Sequence, residues 1–181
     1  MSIAGGIVCD GGIVMYSDSQ ETYFDLKWPV LKLITDDFYS RCPMMISGAG
    51  FGAAIDSATQ QIISKLRTQG QFGLDVALKH IKAILRDIHR NDLPYFPADV
   101  ESDKQFELLI ALKTFDMPAP LLYRTQGSLI YHVPEYAIIG SGSLVNYSAY
   151  ALFQRYMPMS QAVMLAAHLI RLAKSQLTTV G

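Results

Sequence analysis

Residues 6–19 read GIVCDGGIVMYSDS, two short apolar and β-branched runs on either side of Asp10-Gly11. Asp-Gly suits a tight two-residue hairpin turn, whose twist matches that of the flanking strands but demands positive φ at its centre. The pattern predicts strands over Ile3–Cys9 and Gly12–Ser17, joined by that turn. Register follows from the turn. Cys9 faces Gly12, and counting outward Ile3 faces Asp18 and Ser2 faces Ser19. A carboxylate and a hydroxyl are thereby set beside the start of the chain.

Outward from this hairpin, residues 31–34 and 41–47 read as two further strands joined by Thr35-Asp36-Asp37, with Pro29 and Pro43 blurring their limits. The period then changes. Ile55, Ala58, Ile62 and Leu66 share one helical face, as do Leu74, Leu78, Ile81, Leu85 and Ile88, and Gly70 separates the two helices. Residues 91–104 hold two prolines and mixed charges without a period, which predicts an exposed loop inside the domain. Strand patterns return at 107–113, 121–124, 128–132 and 136–139, with a turn at Gln126-Gly127. Two helices follow over 145–156 and 160–176, with Pro158 between them and Ser160 placed as an N-cap. Strands and helices are segregated rather than alternating, so the expected class is α+β with face-to-face sheets and helices outside.

Composition narrows the function. The 181 residues suffice for one domain, expected to span 1–181. Fifteen basic residues balance sixteen acidic ones without a Lys/Arg cluster, so nothing marks a nucleic-acid or anionic-membrane surface. The start lacks a basic segment followed by an apolar core, and the longest apolar run, residues 162–170, holds His168 and is too short to span a bilayer. Cys9 and Cys42 do not suggest a disulfide framework, and His80, His89, His132 and His168 lack ligand spacing. The expectation is a cytoplasmic protein without metal or cofactor.

Ser2 has its own chemistry. A small residue after Met1 permits removal of the methionine, which frees an α-amine of pKa roughly 7.7–8.0. Hydroxyl and base on one residue form a self-contained nucleophile. Met-Ser also opens many inert proteins, so the feature alone leaves both readings open.

Four segments in order carry a resemblance: residues 6–19, Lys32-Leu33-Ile34, residues 47–56 (SGAGFGAAID), and residues 137–143 (AIIGSGS). Together they resemble the proteasome β-subunit family and its bacterial relative HslV, N-terminal-nucleophile hydrolases. The resemblance implies a four-layer αββα sandwich. It places Ser2 at the nucleophile position, usually threonine, and Lys32 as the cation that lowers proton affinity at Ser2. Asp18 would hold that lysine, the Gly48 N–H would stabilise the oxyanion, and Ser141 would bond the free terminus. Each has a plainer reading: strand-edge lysine, turn aspartate, strand-to-helix turn and helix N-cap. Lys27 is a second lysine for the same role. Val30, Ile34 and Ile46 would line a pocket for an apolar substrate side chain.

The implied function is hydrolysis of peptide bonds in a self-compartmentalised homo-oligomer, a ring or helical stack, acting on a peptide or protein substrate with an unassigned unfoldase. Two readings compete with it. Leu177 and Val180 stand where the family often has aspartate and serine, although HslV also lacks that aspartate. Together with a retained Met1 they would describe an inactive scaffold subunit. The same fold also serves amidases that are not peptidases. The family pattern further leads one to expect another strand or two after Gly181.

Overall fold

The hairpin closes at Asp10-Gly11, with positive φ at Gly11 and not at Asp10. Cys9 pairs with Gly12 and Ala4 with Ser17, and Gly11 takes a left-handed φ of 86° that its missing Cβ permits. The computed structural model describes residues 3–23, 26–38, 42–95, 105–141 and 145–176. Met1, Ser2, Leu177 and Val180, and with them the side chain of Lys27, lie outside the described residues.

The strands are β1 (Ile3–Cys9), β2 (Gly12–Ser17), β3 (Gln20–Tyr23), β4 (Leu26–Pro29), β5 (Leu33–Phe38) and β6 (Cys42–Gly50), followed after two helices by β7 (Phe106–Leu112), β8 (Leu121–Gln126), β9 (Leu129–Val133) and β10 (Tyr136–Gly140). The helices are α1 (Gly52–Arg67), α2 (Leu74–Asp87), α3 (Asn146–Leu152) and α4 (Met159–Gln176). One sheet has the order β10-β1-β2, a second is the pair β3-β4, and a third has the order β5-β6-β7-β8-β9, every pairing antiparallel. The class is α+β.

Three apolar clusters hold these elements. Ile62 and Leu66 of α1 and Ile81 and Leu85 of α2 pack with Met44, Ile46, Leu108 and Ile110 of the five-stranded sheet. Ala162, Ala166 and Leu169 of α4 pack with Ile3, Ile7 and Tyr16 of the hairpin. Between the sheets, Ala4, Ile13, Met15 and Ile139 meet Ala49, Leu109, Ala111 and Leu122. The alternation of β1 and β6 residues between clusters is the two-residue strand period filling both faces.

Several local expectations change. Thr35, Asp36 and Asp37 do not form the connection between two strands: they lie within β5, opposite Met45, Met44 and Pro43. Arg67, at the end of α1, forms an ion pair with Asp36, a tertiary contact that local turn propensity does not register. The β3-β4 hairpin was not expected. The second helix continues past Asp87 through a π-turn over Ile88–Asp92 and a 3-10 turn over Leu93–Tyr95, so residues 91–95 are helical and not loop, while residues 96–104 of the expected loop lie outside the described residues. Helix α3 stops at Leu152, and α4 starts at Met159, which puts Ser160 in its first turn instead of at its cap. Among the described residues no helix is long and apolar enough to cross a membrane.

Candidate functional site

Asp18 follows β2 and is 2% exposed. An anion so placed requires partners. Its Oδ1 accepts the Ile3 amide proton at 3.0 Å, and its Oδ2 lies 2.9 Å from Lys32 Nζ. The Asp18 amide in turn donates to the Ile3 carbonyl at 3.1 Å. The hairpin register thus delivers the carboxylate to the first described residue of the chain, and the carboxylate ties that residue to Lys32. The Lys32 side chain is 11% exposed and the Asp18 side chain fully buried. Their ion pair is therefore held away from bulk screening.

Lys32 precedes β5. Its carbonyl accepts the Ser47 hydroxyl at 2.9 Å, and Leu33 pairs with Ser47, so Lys32 stands one step beyond that pair and level with Gly48. Gly48 is buried on β6, where a Cβ would sit 2.6 Å from Ile55 Cγ2 of α1. The position therefore needs glycine for the close approach of α1, whatever role its N–H has. Gly50, two residues on, has φ of 114°, and a Cβ there would meet the Gln105 carbonyl oxygen at 2.2 Å.

A cavity of about 180 Å³ opens beside these residues, lined by Val30, Lys32, Ile34, Ile46, Gly48 and Ile55, among others. The structure therefore gathers Lys32, Gly48 and the three residues expected to line a substrate pocket around one space. Sequence reasoning missed Ser47, Asp56 and Thr59, which share it. Asp56 and Thr59 lie within the helix that the 3.6-residue spacing had located, one turn apart; that spacing marks the core face and not the side chains above a cavity. Thr59 is buried and Asp56 exposed.

Ser141 comes directly after β10, whose Gly140 pairs with Ile3, so it too stands at the open end of β1. It is half-buried. Cys9 and Cys42 are buried free thiols, and burial pushes both above their ordinary pKa, which disfavours the thiolate a cysteine nucleophile needs. Among the described residues no group of three or more His, Cys, Asp or Glu side chains could hold a metal ion.

The same architecture occurs in solved structures. A structure of Anbu (ancestral beta-subunit) from Yersinia bercovieri matches with a TM-score of 0.84 at 15% identity, over 99% of this chain and 78% of that one. Anbu from Hyphomicrobium sp. strain MC1 matches with a TM-score of 0.83 at 13% identity, over 99% of this chain and 78% of that one. The chain has the Anbu fold. A third Anbu structure, described as a helical assembly of the complex from Pseudomonas aeruginosa, has a TM-score of 0.76 at 15% identity, over 99% of this chain and 77% of that one. The motifs had pointed to proteasome β subunits and HslV. That expectation is corrected: the neighbours carrying this architecture are Anbu proteins, whose fold is proteasome-like. Their identity of 13–15% establishes the fold and leaves function to the residues of the site. No protein-family model and no curated protein matches the chain.

Proposed function

We propose that this chain is the subunit of a self-compartmentalised N-terminal-nucleophile peptidase, with Ser2 as its nucleophile once Met1 is removed. One observation carries the reading. Asp18 joins the amide of Ile3, the residue covalently bonded to Ser2, to the Lys32 ammonium at the rim of a cavity.

The steps balance without a cofactor. The Ser2 α-amine takes the hydroxyl proton, and Oγ attacks the scissile carbonyl. The positive charge of Lys32 favours the deprotonated oxygen, and the Gly48 N–H supports the oxyanion. On collapse the C–N bond breaks, the departing amine receives the proton, and an ester on Ser2 remains. Water adds to that ester and restores the hydroxyl. Ser141 would hold the α-amine in place, and Val30, Ile34 and Ile46 would receive the substrate side chain.

The three apolar clusters support an ordering of the chain, one domain over 1–181, into a four-layer αββα sandwich. The helical assembly described for the Pseudomonas aeruginosa Anbu complex supports a homo-oligomer built by stacking. Buried, unbridged Cys9 and Cys42 suit a reducing cytoplasm.

The test is turnover of fluorogenic peptide amides by the full chain and by Ser2→Ala and Lys32→Ala variants. Turnover abolished by both substitutions is expected. Cleavage confined to small acyl amides would move the assignment to an amidase, and turnover unaffected by Ser2→Ala would overturn it.

A further inference from the structure

The cavity beside Lys32 carries a charge that its apolar walls do not. Among its described lining residues, Lys32 and Asp56 are the charged ones. The Lys32 ammonium is already neutralised by Asp18 at 2.9 Å. Asp56, by contrast, makes no ion pair and accepts no side-chain hydrogen bond among the described residues. The described lining thus carries one negative charge, that of Asp56, with no cation paired to it among the described residues. Thr59, a turn further along α1, brings a hydroxyl to the same wall.

The walls suit a particular partner. Ile34, Ile46 and Ile55 offer an aliphatic surface, and Asp56 joins them in the lining. A side chain with a methylene stem and a cationic head satisfies both, because its stem covers apolar surface while its head seeks an anion. A leucine or phenylalanine side chain would fill the walls but bring no positive charge to the carboxylate.

We infer that this cavity selects an arginine or lysine side chain, with Asp56 as the specificity-determining residue. The inference deepens the proposed peptidase reading by naming its substrate class. It replaces the apolar preference expected from Val30, Ile34 and Ile46 alone. Asp56 is exposed, so the pair stays partly hydrated and its discrimination is modest, about fivefold.

Binding tests this without requiring catalysis. The full chain is titrated with Nα-acetyl-argininamide, its neutral isostere Nα-acetyl-citrullinamide and Nα-acetyl-leucinamide, and the Gly48, Ile55 and Thr59 amide signals are followed by NMR. Arginine is expected to bind about fivefold more tightly than citrulline, and Asp56→Asn to erase that ratio. Equal or tighter binding of citrulline or leucinamide overturns the inference, as does a ratio that survives Asp56→Asn. Absence of shifts at these amides with every ligand overturns it too. Failure of the peptidase reading registers separately, as loss of turnover or of covalent labelling at Ser2.

Discussion

Lys32 Nζ stands 2.9 Å from Asp18 Oδ2, in an ion pair whose carboxylate side chain is fully buried. Removing one member of such a pair strands the other charge, whereas removing both lets apolar groups replace them. Asp18→Ala is expected to lower the unfolding free energy by about 3 kcal/mol in chemical denaturation. Asp18→Ala combined with Lys32→Met should recover much of that loss. A double variant no more stable than Asp18→Ala would show that the Ile3 contact, and not the ion pair, carries the energy.

Gly48→Ala places a methyl 2.6 Å from Ile55 Cγ2. The clash should cost about 1–3 kcal/mol. Ile55→Ala removes Cγ2, Cγ1 and Cδ1, the atoms that the methyl meets, so Gly48→Ala should lower the thermal midpoint less in that background than beside Ile55. Gly48→Ala with unchanged stability would mean that α1 withdraws freely from β6.

Tyr16 packs under Gly5 with a buried hydroxyl that finds no hydrogen-bond partner among the described residues. Burial, reinforced by Tyr136, pushes its ionisation well above the ordinary tyrosine range. Because the folded state resists losing this proton, the contribution of Tyr16 is intact below pH 10 and declines as the unfolded chain ionises at higher pH. Tyr16→Phe should therefore raise stability by about 1 kcal/mol at neutral pH and flatten the alkaline decline. Denaturation at neutral and alkaline pH measures both.

His89 stacks on Phe106 with ring centroids 5.0 Å apart, and its Nε2 is buried without a partner among the described residues. Burial depresses its pKa below 6.5, against a weaker opposing hydrogen bond to the Gly127 backbone. The unfolded chain then takes up a proton before the folded one. Stability present above pH 6.5 falls as the pH drops from there toward the depressed folded value. His89→Phe should remove that segment of the acid slope. An unchanged slope would place the responsible group elsewhere.

The part of the fold written locally was legible. Asp10-Gly11 determined the hairpin register, and that register carried Asp18 to Ile3 before any distance was known. Helical spacing found the buried Ile62, Leu66, Ile81 and Leu85 because a core face repeats every turn. Signals that depend on distant partners were not legible. Asp36 reads as a turn residue until Arg67 approaches from the end of α1. Residues 20–29 lack clean alternation, so the β3-β4 hairpin left no pattern to follow. Asp56 closes the segment SGAGFGAAID, residues 47–56. Its place in the cavity depends on β5 and β6 lying opposite that helix, which no local spacing encodes.

The intact mass of the purified full chain, before and after exposure to a peptide β-lactone, bears most directly on the Ser2 reading. The expected result is a chain lacking Met1 that gains one adduct, mapped to Ser2 and absent from Ser2→Ala. A chain that keeps Met1 and gains no adduct would contradict the proposed nucleophile, and would leave an Anbu-fold subunit without this chemistry.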